Sequence, residues 1–329
     1  MKTVFFAALG SAMFVLAGCS SGTPAQRALP LTAPETPVSQ TRSTASSGLT
    51  ELFNLNYSNG TISVFSIANG KATLTKQFVP GGGGAQGLAA DAQGRIYTTL
   101  TQSNSNPCAA CVQIFTDTGT LVRQLGAPTL QGASGSPSLT DVSVDAHDNV
   151  YVSDYGQQAV YFFPRGQMRK HGPTVVVENS TNAASVLATP NGKNVIVSGG
   201  CGFASVRPYT RATGGKYTEG SCFSIGTIAL IGGATDNDED VLTPVDGGLG
   251  LVSISSPSGG SVIRVPDKEG SIGGVALNGD ASIAYVADAH KECVYAFARP
   301  AKGWLSSVPP QLVATYKGFK KLDVIAVPQ

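Results

Sequence analysis

Alternating apolar and polar residues recur along the chain in short runs that polar turns separate. Residues 87–97 contain one such run, a turn that begins with Asp91, and a second run; residues 141–151 repeat this arrangement around Asp145. Further copies cover 185–197 and 274–288, and a degenerate copy covers 227–242. Because successive side chains of a strand point to opposite faces, each copy predicts two antiparallel strands joined by a tight turn.

A third alternating segment accompanies these strand pairs, and its aromatic and β-branched residues favour strand structure. These segments lie at residues 61–65, 111–115, 159–163 and 293–297. A fourth strand then leads to the next copy, for example at residues 174–178. Four antiparallel strands that return roughly every 40 to 50 residues are typical of the blades of a β-propeller.

The first copy starts near residues 52–55 and lacks its innermost strand, whereas the C-terminal residues 322–328 have the pattern of that strand. The sequence therefore predicts an all-β fold over residues 49–329. We expect a six-bladed β-propeller of four-stranded antiparallel blades, closed by a C-terminal strand in blade 1. Closure of this kind removes exposed sheet edges.

The copy at residues 141–166 has a Val-Asp pair at 144–145, the sequence Asn-Val-Tyr-Val-Ser-Asp at 149–154, and an aromatic strand after it. In these features it resembles an NHL repeat, and the resemblance extends to about four of the predicted blades. NHL-like propellers include lactonases, amidating lyases and plain binding platforms. The resemblance therefore implies the fold and leaves the activity open.

Residues 1–18 have the form of a signal peptide, in which Lys2 precedes an apolar stretch that is short for a membrane span. The stretch ends in Leu-Ala-Gly followed by Cys19, which resembles the lipobox of bacterial lipoproteins and implies a lipid on the Cys19 thiol. Two or more acyl chains anchor a protein stably to a membrane. In lipoproteins of this kind, Ser20 after the cysteine implies the outer membrane. The alternative is an ordinary signal peptide with a chance cysteine.

Residues 19–48 comprise the lipidated cysteine and a segment rich in Ser, Thr, Pro, Ala and Gln, which predicts a flexible tether. The folded part is expected from Leu49. Charged residues make up only 13% of the chain, and 22 Lys and Arg nearly balance 21 Asp and Glu. This balance excludes a dedicated nucleic-acid partner, because no basic excess is available to bind phosphate.

In propellers of this kind, ligands bind on the face that holds the loops entering the innermost strand and those joining the second and third strands. The candidate residues on this face are Asn56, Tyr57, Asp154, Tyr155, Asp288 and His290, with the turn at 199–201 beside them. A structural explanation competes for Asp154 and Asp288, which occupy equivalent repeat positions. An aspartate at a strand end accepts hydrogen bonds from the N–H groups of the following turn.

No metal site is predicted, because the three histidines His147, His171 and His290 are not at ligand spacing. Residues 236–240 begin like a calcium loop, but Val241 stands where that loop needs glycine and no glutamate completes the ligands. We therefore interpret this stretch as a solvated turn. Within residues 49–329, serine and histidine are not arranged in a nucleophile motif such as Gly-x-Ser-x-Gly, so no catalytic residue and no cofactor are assigned.

Five cysteines remain after Cys19, and export would place them in an oxidising compartment. Cys201 and Cys222 enclose about twenty residues and form one candidate disulfide, worth about 3 kcal/mol. Cys108 and Cys111 form another. A thioredoxin-like redox role competes for this second pair, but it needs a helix N-terminus to lower the thiol pKa, and a strand follows here. Cys293 is left over as a buried thiol.

Two functions follow from these features. The favoured one is a lipid-anchored lipoprotein of the bacterial cell envelope, on the periplasmic or surface side, which displays the propeller as a non-enzymatic platform for a protein, a glycan or a small ligand. The alternative is a lactonase-like hydrolase or lyase that uses a divalent cation such as Ca²⁺ in the central channel. Such an enzyme needs an inward acidic residue near the start of the propeller, where Glu51 is the only acid and has different surroundings.

Overall fold

The fold is that of a computed structural model, which describes residues 48–81, 84–101, 110–128, 130–131, 135–165, 174–177, 183–198, 205–213, 215–224, 232–245, 247–255, 260–267 and 271–329. Within these ranges every regular element is a β-strand, which confirms the all-β class. The signal peptide, Cys19 and nearly all of the tether lie outside the described residues, and their assignments stay predictions.

The strands form antiparallel sheets that follow one another along the chain. Sheet 1 begins with β1 (Glu51–Asn56), β2 (Thr61–Ala68) and β3 (Lys71–Phe78). Sheet 2 consists of β4 (Ala85–Ala90), β5 (Ile96–Leu100), β6 (Cys111–Phe115) and β7 (Leu121–Gly126). Sheet 3 consists of β8 (Leu139–Val144), β9 (Val150–Asp154), β10 (Ala159–Phe163) and β11 (Thr174–Val177). In sheets 2 and 3, each strand pairs with the next one in the sequence.

The second half of the chain repeats this order. Sheet 4 contains β12 (Val186–Ala188), β13 (Asn194–Ser198), β14 (Ser205–Arg211) and β15 (Tyr217–Glu219), with β16 (Phe223–Ser224) also paired to β14. Sheet 5 contains β17 (Ala234–Thr235), β18 (Asp240–Val245), β19 (Gly248–Ser253) and β20 (Ser261–Arg264). Sheet 6 contains β21 (Ile272–Leu277), β22 (Ile283–Asp288), β23 (Cys293–Ala298) and β24 (Gln311–Lys317).

The last strand, β25 (Val324–Ala326), returns to the start of the chain and pairs with β1. Sheet 1 therefore has four antiparallel strands, in the order β25-β1-β2-β3, as the pattern of residues 322–328 predicts. One contact was not predicted: β24 pairs in parallel with β3 at Lys317 and Lys71, so that sheets 6 and 1 join into one eight-stranded sheet. The alternation of apolar and polar residues cannot predict this contact, because the contact involves a single residue pair.

We call β25 the inner strand of sheet 1 and the first strand in sequence the inner strand of each other sheet. Each inner strand contacts the inner strands of two other sheets. The contacts run from β25 to β4, β8, β12, β17 and β21, and from β21 back to β25. Apolar side chains fill the space between neighbouring sheets; between sheets 6 and 1, for example, the Phe65 and Phe319 rings lie 5.0 Å apart. Burial of these faces is the main favourable contribution to the fold.

The turns between first and second strands share one hydrogen-bonding pattern. Asp91 Oδ1 accepts bonds from the N–H groups of Gln93 and Arg95, both at 2.9 Å. Asp145 does the same for the residues two and four positions later in sheet 3. The second carboxylate oxygen of Asp91 accepts the Tyr97 hydroxyl at 2.8 Å. This pattern explains why aspartate leads the repeated turn.

The acidic turn at residues 236–240 corrects part of one expectation. Its tip is exposed at Asn237 and Asp238, as a solvated turn requires, but Asp236 is fully buried and Asp240 is 7% exposed. Arg299 of sheet 6 reaches into it and pairs with Asp236 Oδ2 at 3.1 Å and with Asp238. Its guanidinium is thus a cation supplied by the chain itself, and sequence spacing could not show this, since Arg299 lies about sixty residues away. Burial and, after it, the neighbouring Asp236 carboxylate raise the pKa of Asp240 to about 6, although Arg299 acts in the opposite direction.

Candidate ligand site at the channel mouth

Near their starts, inner strands of neighbouring sheets come close together, and we call the residues at this level the neck. The neck consists of Gly87, Asp141, Ser185, Gly232, Gly274 and Asp323, one from each sheet. A Cβ atom on Gly87 would lie 2.6 Å from the Cα of Asp141, and one on Gly274 would lie 2.9 Å from the backbone nitrogen of Ile325. Only glycine permits this approach of two backbones.

Asp141 is the neck residue with the most unusual environment. Its side chain is buried, and its Oδ2 accepts bonds from the Ser185 hydroxyl and, at 3.2 Å, from the Val186 N–H of the neighbouring sheet. Its Oδ1 accepts the Val142 N–H at 2.9 Å. Burial raises the pKa of Asp141 to about 7, although these hydrogen bonds act in the opposite direction. The carboxyl group can therefore gain or lose a proton near neutral pH.

Tyr57 stands at the outer side of the neck, in the turn between β1 and β2. Its backbone N–H donates to Asp323 Oδ2 at 3.0 Å, and the residue is 40% exposed. Burial of its hydroxyl and the nearby Asp141 and Asp323 carboxylates raise the pKa of Tyr57, so the phenol stays protonated. Tyr57 thus combines an exposed ring with a hydroxyl near two acidic groups. We call this set, Tyr57 with Asp141 and Asp323, the channel mouth.

The charge at the channel mouth is uncompensated. Among the described residues, the ion pairs involve other acids, and neither Asp141 nor Asp323 takes part in one. Carboxylates without a cationic partner can accept hydrogen bonds from a ligand's hydroxyl or N–H groups. On the other side of the neck, the inner strands enclose a cavity of about 80 Å³ that Asp141, Ser143 and Asn278 help to line. This volume can hold a few water molecules, and it is too small for a typical ligand.

Three of the predicted site residues share a position at the end of a second strand and hold the following turn. Asn56 Oδ1 accepts the Ser58 N–H at 3.1 Å, and Asp288 Oδ1 accepts the Lys291 N–H at 2.9 Å. Asp154 Oδ1 accepts the N–H groups of Ser138 and Gln157. All three side chains are buried. These three side chains therefore hold their own turns by accepting hydrogen bonds, as the structural explanation has it, and they lie away from the solvent.

The remaining predicted residues are not brought together. Tyr155 is 49% exposed and sits in its own turn, where its N–H bonds to the Ser138 carbonyl. His290 lies on sheet 6 and pairs through Nδ1 with Asp267 at 2.8 Å. The turn at 199–201 lies outside the described residues. Of the predicted residues, only Tyr57 contributes to the channel mouth.

Cys111 and Cys222 are each disulfide-bonded, but their proposed partners Cys108 and Cys201 lie outside the described residues. The two pairings therefore stay predictions. Cys293 is free and buried, as expected of the cysteine left over from the two candidate pairs.

The described residues contain no group of three or more His, Cys, Asp or Glu side chains that could hold a metal ion. The same part of the chain has no helix with the length and apolarity that a membrane crossing requires.

Sequence reasoning missed Asp141 and Asp323, although Asp141 begins the second copy of the repeat. One signal was available: when the copies are superimposed, this position holds glycine or serine in other sheets, and an acid there stands out. The signal is weak, because the pattern cannot tell which face of an inner strand turns toward a neighbouring inner strand.

Fold and site together define an all-β protein of four-stranded antiparallel sheets, of the propeller-like class. No known family model and no curated protein matches the chain. Solved structures do resemble it. A putative 6-phosphogluconolactonase from Bacteroides fragilis has 12% identity and a TM-score of 0.51, over 86% of this chain and 98% of that one.

Two more structures are similar to the same degree. A periplasmic gluconolactonase from Pseudomonas aeruginosa has 10% identity and a TM-score of 0.51, with coverage of 84% and 98%. A chain of a nidogen/laminin complex has 12% identity and a TM-score of 0.54, with coverage of 85% and 98%. At these identities the similarity supports the fold and does not transfer an activity.

Proposed function

We propose that this protein is a lipid-anchored, six-bladed propeller of the bacterial cell envelope that binds a hydroxyl-rich ligand, such as a glycan, at the channel mouth. The blade count rests on the order of contacts among the inner strands, which passes through all the sheets and returns to β25. The anchor rests on the lipobox-like sequence before Cys19.

The observation that carries the binding proposal is the exposed ring of Tyr57 beside two carboxylates without ion pairs. A tyrosine ring offers an apolar face for the C–H surface of a sugar, and its hydroxyl is a hydrogen-bond donor and acceptor. Asp323 is partly exposed and can accept hydrogen bonds from sugar hydroxyls. The buried Asp141 carboxylate contributes to the negative charge near the Tyr57 hydroxyl.

A glycan array probed with the purified folded part tests this proposal. Wild-type protein should retain at least one envelope-type oligosaccharide, and Tyr57→Ala should weaken that binding at least about tenfold. Tyr155→Ala is the matched control, because Tyr155 occupies the equivalent turn of sheet 3 and is similarly exposed. Equal retention by both variants, or no retained glycan with the wild type, would contradict a glycan site at Tyr57.

The anchor has its own test in cell fractionation. Wild-type protein should sediment with membranes and leave them only in detergent, whereas Cys19→Ala should be found in the soluble fraction, since it lacks the acceptor thiol. A Cys19→Ala protein that stays with the membrane as fully as the wild type would refute lipid anchoring. Cys293→Ala is a suitable control, because it removes a thiol that lies inside the folded part.

The lactonase-like hydrolase or lyase is the second candidate, and the buried Asp141 carboxyl favours it. A general acid or base works best when its pKa is near the working pH, and that of Asp141 is raised to about 7. The described residues at the neck do not supply a set of ligands for a divalent metal, so no catalytic step through a metal is derived. One metal ion per chain in elemental analysis, after metal-supplemented expression, would favour this candidate over the binding platform.

A further inference from the structure

A groove separate from the channel mouth lies between the end of sheet 5 and sheet 6. Its volume is about 560 Å³, and it is lined by β23, by β24, by Lys291 of the turn before β23, and by Pro266 and Asp267, which follow β20. This volume is within the range of small-molecule sites, which is roughly 300 to 1,000 Å³. Neither proposed function uses this groove.

The register of sheet 6 places four of the lining side chains on one face of the sheet. Cys293 of β23 lies opposite Lys317 of β24, and Tyr295 lies opposite Thr315. Directly paired residues, and residues two positions apart on one strand, point to the same face. The groove therefore receives a thiol and a phenol from β23, and a hydroxyl and an ammonium group from β24.

The two β23 side chains carry no charge at neutral pH. Cys293 is 4% exposed and Tyr295 is 5% exposed, and burial raises the pKa of both side chains. Their protonated, neutral forms therefore prevail. Together with Pro266 they give the groove an uncharged inner part, so the charge that a ligand meets comes from the other lining residues.

The outer end of the groove, at β24, is positively charged. Lys317 is exposed, and the exposed Lys71 of β3 lies opposite it on the other side of β24. Among the described residues, neither lysine takes part in an ion pair. Like charges directly opposite each other destabilise a sheet, and an anion bound at Lys317 would lower that cost.

The acids near the groove do not compensate Lys317. Asp267 belongs to the lining, but it pairs with Lys291 at 3.7 Å. Asp288 and Glu292 are not part of the lining, and Asp288 is fully buried. The described lining thus carries two lysines and one aspartate, and this balance suits a ligand with a single negative charge.

We propose that this groove binds a small organic acid, whose carboxylate is held by the Lys317 ammonium group and the Thr315 hydroxyl. Thr315 is half-buried, and its hydroxyl has no hydrogen-bond partner among the described residues, so it is available as a donor. A hydrogen bond from an ammonium group to a carboxylate is stronger than one between neutral groups. The apolar body of the acid lies along Pro266 and the Tyr295 ring.

The test is a titration of the isotope-labelled protein with sodium benzoate, followed through its backbone amide NMR signals. Benzoate should shift the signals of Cys293, Tyr295 and Thr315 in a saturable manner. Benzamide has nearly the same shape without the charge, so it should bind at least about tenfold more weakly. Phenyl phosphate carries more charge and should bind no more tightly than benzoate. Equal affinities for benzoate and benzamide, tighter binding of phenyl phosphate, or no shift with benzoate would overturn the proposal.

Two variants test the contacts with the carboxylate. Lys317→Gln removes the charge of an exposed side chain and should weaken benzoate binding at least about fivefold. Thr315→Val keeps the shape of the side chain and removes the hydroxyl, which should weaken binding about threefold. Lys76→Gln changes an exposed lysine on β3 and is the matched control, which should leave the affinity unchanged. Full affinity in Lys317→Gln would contradict the proposal, and so would an equal loss in Lys76→Gln, because it would indicate general charge attraction.

Discussion

Asp141 and Asp154 are both buried aspartates of sheet 3, but their surroundings differ. Asp154 accepts four hydrogen bonds, and every donor lies close by in the sequence: the N–H groups of Ser138 and Gln157, the Gln157 amide and the Tyr161 hydroxyl. Asp141 takes two of its three bonds from the neighbouring sheet, through Ser185 and Val186. The Asp154 carboxylate finds all its donors within its own sheet, whereas the hydrogen bonds of Asp141 depend on how two sheets pack together.

Asp236 shows a third arrangement. It is as deeply buried as Asp154, and Arg299 of the next sheet supplies a positive charge to it. Asp141 has neither four donors nor a cation, and its pKa is raised to about 7. The ion pair does not remove the cost of burial at Asp236, whose pKa burial also raises. The comparison teaches that a buried acid whose charge is stabilised neither by its own turn nor by a cation is a candidate for function.

The largest expected effect comes from Asp154→Ala. The substitution leaves the Gln157 amide, the Tyr161 hydroxyl and the Ser138 N–H without their acceptor in a buried site, and should lower the free energy of unfolding by about 5 kcal/mol. Urea titration measures this change. Tyr155→Ala, one residue later and half exposed, should cost less than about 0.5 kcal/mol. Similar losses in the two variants would mean that Asp154 does not organise the hairpin.

A smaller effect, with a distinctive pH dependence, is expected from Asp141→Asn. The pKa of Asp141 is about 7 in the folded protein, and the unfolded chain is taken to have the ordinary value of 3.8, so the folded state binds the proton more tightly. The stability that this proton contributes is fully present below about pH 4. It is lost as the pH rises through 7, by up to about 4 kcal/mol. The asparagine variant should lack this loss, which urea titrations from about pH 4 to 8 would reveal.

Asp280→Asn is the control of opposite sign. Hydrogen bonds from the Ser282 hydroxyl and N–H lower the pKa of Asp280, so this acid contributes stability above pH 4 that is lost in more acidic solution. Its removal should not flatten the fall of stability between pH 4 and 8. If Asp141→Asn and the wild type keep the same slope over that range, the Asp141 carboxyl does not titrate near neutrality and its contrast with Asp154 disappears.

Much of the fold is predictable because it is local: the turn led by Asp91 and the alternation in Val150–Asp154 follow from pattern and turn chemistry. The closing pair of β25 with β1 is long-range, and it was predictable because the repeat left the first copy without an inner strand. The role of Asp154 in its own turn is local in the same way. The parallel contact of Lys317 with Lys71 is not, since it depends on how two finished sheets meet.

The candidate sites were less accessible to sequence reasoning. Tyr57 was identified from its position after a second strand, but its neighbours Asp141 and Asp323 come from other sheets, and no spacing rule connects them. In the same way, His290 and Asp288 were expected on one ligand face, whereas His290 pairs with Asp267 and Asp288 is buried opposite Cys293 in the sheet.

The sequence by itself determined the strands and their hairpin partners, because side-chain alternation and turn residues act over a few positions. It also determined the return of the C-terminal strand, because the first repeat copy lacks an inner strand and residues 322–328 have its pattern. The lipobox-like signal before Cys19 needs no fold to be recognised. Only the tertiary structure decided which acids are compensated. Arg299 reaches Asp236 from the next sheet, while Asp141 meets Ser185 and no cation, since the packing of neighbouring sheets and not the local pattern sets these distances.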